Sequence, residues 1–210
     1  MENLFTLFLF AGALGFTHAF EGDHLVAISA LVTKRAKTTL ALKDGIFWGL
    51  GHTSTILLIG LMIIVGKVAF PEGSFGYLEA MVGLMLVGLG LHRFYKLWQF
   101  EQSQAELHVI DHRHQHHLAY GVGLVHGLAG SGAMVLLVMT EIKEPASSIL
   151  YLLIFGLGSV VGMLVASGIF SLPFSKALSL NMRIKAFLTL LSALACLGFG
   201  AWVLYENLVA

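Results

Sequence analysis

The sequence predicts an all-α integral membrane protein of six transmembrane helices, arranged as two inverted-topology three-helix repeats. Three observations predict it. Only 11% of the 210 residues are charged and 57% are apolar, whereas soluble domains carry about 25% charged residues. Six apolar runs are each long enough to span a bilayer, for which roughly 20 residues suffice. The first three runs also share glycine and histidine spacings with the last three.

In chain order the runs are 4–32, 45–68, 75–98, 118–140, 147–170 and 185–205. Met1-Glu2-Asn3 lacks the basic segment of a cleavable signal, so the first run is read as a retained helix. Pro71, Pro145 and Pro173 all fall between runs, where they punctuate rather than kink. Lysine and arginine concentrate in the odd connections: Lys34, Arg35, Lys37 and Lys43, then Arg93, Lys96 and Arg113, then Lys176, Arg183 and Lys185. The even connections hold only Lys67 and Lys143. Ten against two places the odd connections in the cytoplasm, with both termini outside the plasma (inner) membrane. Lys34-Arg35-Ala36-Lys37 then reads as an anchor at the anionic leaflet. His92-Arg93-Phe94-Tyr95-Lys96 reads as snorkelling and aromatic-belt residues.

The repeat is visible in three matched pairs. Gly15-x-x-His18-x-x-x-Gly22-Asp23 pairs with Gly123-x-x-His126-x-x-x-Gly130-Ser131. Trp48-Gly49-Leu50-Gly51-His52 pairs with Phe155-Gly156-Leu157-Gly158-Ser159, and Gly88-Leu89-Gly90 with Gly198-Phe199-Gly200. The offset is nearly constant. An odd number of helices per unit obliges the second unit to enter from the opposite side, a common transporter architecture with its substrate site near the midplane. The units are residues 1–98 and 118–210, joined by a histidine-rich cytoplasmic linker at 99–117. The glycine pairs are expected to allow close helix contact.

Chemistry concentrates in the first run. His18, Glu21, Asp23 and His24 lie within seven positions of a segment that otherwise belongs in hydrocarbon, and ionisable groups at membrane depth cost a few kcal/mol or more, which marks a functional site. Counting ~1.5 Å of rise per residue puts His24, His52 and His126 in one layer near the midplane, with His18 towards the outside. On a continuous helix Asp23 points away from the two histidines. Gly22 would have to loosen the helix for Asp23 to join them, so either Glu21 or Asp23 can face the cavity. His24, His52 and His126 with Asp23 are assigned to the midplane site, His18 and Glu21 to the outer approach or proton exchange.

Imidazole and carboxylate ligands suit divalent nickel, cobalt, zinc, copper and iron. The single cysteine, Cys196, lies in an apolar run and reads as packing, as do Met134 and Met139. A proton relay would use the same residue types. Between the halves, 108–117 carries His108, His112, His114, His116 and His117, either a metal-buffering tract or a solvated linker. No nucleotide-binding motif, cysteine pair or redox-cofactor motif is present, so the chain reads as a non-enzyme with no permanently bound cofactor and no nucleic-acid partner.

The His18-x4-Asp23-His24 pattern resembles the signature of the nickel/cobalt transporter family. The words around it, with Trp48-Gly49-Leu50-Gly51-His52-Thr53 and Gly123-Leu124-Val125-His126-Gly127-Leu128-Ala129-Gly130-Ser131, are most similar to its UreH-like branch, six-helix membrane proteins associated with nickel supply to urease and hydrogenase. The resemblance implies a permease for nickel or cobalt ions with His18, Asp23, His24 and His52 as motif residues. Glu21-Gly22 stands where larger members carry Asp-Ala, and Gly130-Ser131-Gly132 where they carry a later acidic motif. Two alternatives use the same residues. One is metal efflux; the other is a membrane metallochaperone or maturation factor handing metal to a urease or hydrogenase partner.

Overall fold

The computed structural model describes residues 2–33, 35, 37–68, 71, 73–102, 115–128, 142, 144–180 and 182–209. Among these the chain forms helices only: α1 Glu2–His18, α2 Gly22–Val32, α3 Thr38–Ile64, α4 Ser74–Gln102, α5 Gln115–His126, α6 Pro145–Leu180 and α7 Met182–Leu208. Four of them hold a segment long and apolar enough to cross a membrane, namely Thr38–Ile64, Ser74–Gln99, Pro145–Phe174 and Arg183–Leu208. α1 and α2 together make a fifth candidate, bent by 54°. Their outer faces are apolar too: Leu84, Leu157 and Phe187 are 64–65% exposed, as expected where lipid is the solvent. This is a multi-pass membrane protein.

Six unbroken spans are not what the described residues contain. The first predicted run is two helices. The fourth is α5 up to His126, followed by residues 129–141, which lie outside the described residues together with Met134, Met139 and Gly130-Ser131-Gly132. The fifth is longer than expected, so Pro173 sits inside α6 rather than between runs. It falls beside Phe174, where the spanning part ends; a proline in a membrane helix is tolerated when neighbouring elements re-satisfy the freed backbone. Lys176, expected in a connection, is likewise helical.

The break after α1 has local causes. Thr17 Oγ1 donates back to the carbonyls of Ala13 and Leu14 (3.1 and 3.0 Å), a bonding pattern that bends helices. Phe20 and Glu21 then close tighter turns onto the carbonyls of Thr17 and His18. Glu21 is extended at φ −66°, ψ 156°, and α2 starts at once. Gly22 does not supply the conformational freedom expected of it: among the described residues only Gly73 is a glycine with positive φ. Its missing side chain instead leaves room for the Phe199 ring, 3.3 Å from where a Cβ would stand.

Packing is by close backbone approach. α3 lies against α6 and α5, α1 against α6, and α4 against α7. A Cβ on Gly15 would overlap the Phe155 carbonyl, and one on Gly123 the Trp48 carbonyl. Gly51 meets the Tyr120 carbonyl in the same way, and Gly158 that of Gly12. A Cβ on Gly83 would come within 2.9 Å of the Gly200 carbonyl, and one on Gly90 within 2.9 Å of the Ala193 carbonyl. Of the paired glycines, 49, 51, 90, 158 and 200 make such contacts and Gly156 meets the Thr53 side chain, but Gly88 and Gly198 meet nothing within 4 Å.

Two basic residues depart from the surface roles expected of them. Arg35 is 3% exposed. Its Nε donates to Asp44 Oδ2 and its Nη2 to Oδ1 at 2.6 Å. His116, at the start of α5, donates from Nδ1 to the same Asp44 Oδ1 at 2.8 Å and stacks on Phe47. Arg35 is therefore a buried ion-pair partner, not a leaflet anchor. Arg93 is 2% exposed and does not snorkel.

Candidate metal site

Four histidines from four helices converge. His18 ends α1, His24 lies on the first turn of α2, His52 lies midway along α3 and His126 ends α5. Ring centroids are 4.5 Å apart for His18–His24, 5.3 Å for His18–His52, 5.3 Å for His24–His52 and 4.1 Å for His24–His126. All four side chains are buried. A straight first helix would separate His18 from His24 by roughly 9 Å along its axis; the break removes that separation. His18 thus joins the cluster and is not set apart towards one side.

Asp23 ties the halves of the chain together. Its Oδ1 accepts from the backbone N–H of His24 (2.8 Å) and from His24 Nδ1 (2.9 Å), and its Oδ2 accepts from His126 Nε2 at 3.0 Å. A carboxylate at this position also complements the positive end of α2. The bend at 19–21 turns Asp23 into the cluster, and both Asp23 and Glu21 line the cavity that reaches it. Glu21 sits at the rim, its side chain 57% exposed, accepting from His18 Nδ1 at 2.8 Å. Carboxylates that hold one ring nitrogen in this way fix the tautomer and leave the other nitrogen as a ligand.

Those other nitrogens lack partners. His24 Nε2, His126 Nδ1 and both ring nitrogens of His52 are buried without a hydrogen bond. Each such atom costs about 1–3 kcal/mol if nothing occupies the site. Ligand atoms of His18, His24 and His52 lie within 4.8 Å of one another, as do those of Asp23, His24 and His126. The two sets share His24. Trp48 closes the inner wall, fully buried, its rings 5.5 Å from His24 and 5.6 Å from His126. Phe155 packs on His18 at 5.5 Å. Cys196 is buried elsewhere, its thiol 3.5 Å from the Val26 carbonyl. Among the described residues the donor set is therefore imidazole and carboxylate, which fits a divalent transition-metal ion better than a soft monovalent one.

A cavity of about 340 Å³ reaches the cluster, with His18, Glu21, Asp23, His24 and His126 on one side and Phe199 and Trp202 of α7 on the other. Sequence reasoning missed the far side of this cavity and the Arg35–Asp44–His116 contact. The signal for the first was a single acid inside the third apolar run, Glu79, and another, Glu206, one residue beyond the sixth. Of the histidine-rich stretch, His116 and His117 are described and 103–114 lie outside the described residues.

Comparison with known proteins gives two relatives. The chain is 36% identical over 185 residues to the urease accessory protein UreH of Bacillus sp. (strain TB-90), covering 82% of this chain and 79% of that one. It is 26% identical over 209 residues to the chloroplast protein For Growth and Fertility 2 of Arabidopsis thaliana, covering 94% of this chain but only 55% of the relative. No family model and no solved structure matches it.

Proposed function

We propose a transport function from the premise that this chain belongs to the nickel/cobalt transporter family, in its UreH-like branch. The protein is a permease for a divalent transition metal, nickel or cobalt, and the ion passes through the cluster of His18, Asp23, His24, His52 and His126. One observation carries this reading: three buried histidines, His24, His52 and His126, keep ring nitrogens without partners, beside a carboxylate already engaged with two of the rings. A metal ion is the occupant that satisfies nitrogens of this kind. Asp23 supplies one negative charge and Glu21, through His18, a second within reach, which offsets the charge of a divalent ion entering a low-dielectric site. Protons compete for the same atoms, so release is favoured by acidity.

Movement of the ion is assigned to alternating access between two inverted three-helix repeats. The close contacts support this. Exchanging the halves turns Gly15–Phe155 into Gly123–Trp48, Gly158–Gly12 into Gly51–Tyr120, and Gly83–Gly200 into Ala193–Gly90. α1 and α5 both end on a histidine followed by a turn. In this reading the termini lie outside the plasma membrane, and the Arg35–Asp44–His116 contact closes the cytoplasmic side. Radiolabelled nickel accumulation in cells tests the proposal. Asp23→Ala, His24→Ala and His52→Ala should each abolish it while the protein still reaches the membrane; normal accumulation in these variants would sink the reading.

The Bacillus relative is named for a role accessory to urease, and that favours a second reading, in which the histidine-rich stretch hands metal to a cytoplasmic partner. Deleting 108–114, which spares the His116–Asp44 contact, separates the two. A permease keeps most of its uptake, whereas a handing factor loses its function.

A further inference from the structure

The cavity that reaches the histidines is also lined by Glu79 of α4 and by Glu206 and Asn207 of α7. α4 and α7 pack on each other and contribute no histidine to the cluster. They run in opposite directions, so that the start of one lies beside the end of the other; a Cβ on Gly76 would stand 3.6 Å from Asn207 Oδ1. With Glu21 and Asp23, four carboxylates line one space, and no lysine or arginine does so among the described residues. Glu79 and Glu206 are exposed.

A row of acids is what many solvated helix ends carry. The inner wall of this space adds an independent observation. His24 and His126 line it too, each 1% exposed, and His24 Nε2 and His126 Nδ1 are buried nitrogens without partners. Lone pairs of that kind receive cations. One space is therefore lined by two exposed carboxylates, by the partly buried Asp23 and by two histidines that each keep a buried nitrogen without a partner.

We infer that Glu79 and Glu206 form the outer station of a cation path, a carboxylate pair that collects a hydrated divalent cation and passes it by Glu21 to Asp23. The inference rests on the histidine cluster being the metal site. Clefts lined by charge of one sign, with low-dielectric walls, focus the field and raise the local counter-ion concentration by about tenfold or more. Hydrated dications are held by such oxygens without losing their water, so this station sets the rate of capture while the histidines set the choice of metal. It also gives a role to the α4–α7 pair, which contributes no histidine to the cluster.

The test uses Glu79→Gln/Glu206→Gln, which keeps shape and removes charge at two exposed positions. The local field is read at Asn207→Cys in the purified full-length protein, by the rates of modification with cationic and anionic methanethiosulfonate reagents. Cys196, the only native cysteine, is 0% exposed and stays silent. The cationic reagent should be favoured by about tenfold at low salt, and the preference should collapse towards unity in the double variant and in high salt. A ratio that matches a free thiol, or that the double variant leaves unchanged, overturns the inference. In nickel uptake the double variant should raise KM several-fold and keep Vmax; an unchanged KM also overturns it. If the native chain moves no nickel, the transport reading fails, and the labelling ratio still decides whether the cation station exists.

Discussion

At the scale of the residue, Asp23 and Asp44 are the two acids that hold chain segments together from inside the fold. Asp23 engages one histidine from its own helix and one from α5, so its two oxygens orient rings that come from the two halves of the sequence. Asp44 does the same for Arg35 and His116. Removing one partner of a buried ion pair leaves the other charge uncompensated, at a cost of about 3–5 kcal/mol. Asp44→Asn should therefore lower the thermal unfolding midpoint in detergent by many degrees, whereas His116→Gln, which removes the more exposed member of its pair, should lower it far less. Equal midpoints for native and Asp44→Asn proteins would show that Arg35 finds another partner. The four histidines and Asp23 were legible because an imidazole or carboxylate inside an apolar run is conspicuous by its cost. Asp44 was not. It sits one residue before a run begins, where a charge looks like ordinary solvation.

At the scale of the element, the break between α1 and α2 decides the site. Counting along a straight helix separated His18 from the other rings and turned Asp23 away from them. A bend of 54° reverses both results. The glycine spacing announced that helices would touch, and the contacts agree for most of the pairs, yet Gly88 and Gly198 have no neighbour within 4 Å; periodicity identifies a small residue without telling which face it is on. This gives a contrast to measure. Gly15→Ala and Gly123→Ala place a methyl group against the backbone of another helix, and overpacking of this kind costs about 1–3 kcal/mol. Gly88→Ala and Gly198→Ala meet open space and should stabilise their helices by up to about 1 kcal/mol. Thermal unfolding of the four variants side by side should split them into these two groups. A uniform response would mean that the helix contacts are not set by the missing side chains.

At the scale of the whole molecule, the helices fall into two working parts. α1, α2, α3 and α5 carry the histidines, and α4 with α7 walls the cavity that leads to them. The membrane class was legible from composition, because soluble domains carry about 25% charged residues and this chain carries 11%. The division of labour was not, since it depends on which helices pack together, and packing leaves no mark on a single run of apolar residues. What both parts serve is a buried imidazole site built from both halves of the chain. Nickel K-edge X-ray absorption of the purified protein, loaded with one equivalent of nickel, tests that claim most directly. The account predicts a bound ion surrounded by several imidazole nitrogens and a carboxylate oxygen, with one imidazole lost in His126→Ala. A nickel ion with only oxygen neighbours, or a spectrum that His126→Ala leaves unchanged, would contradict it.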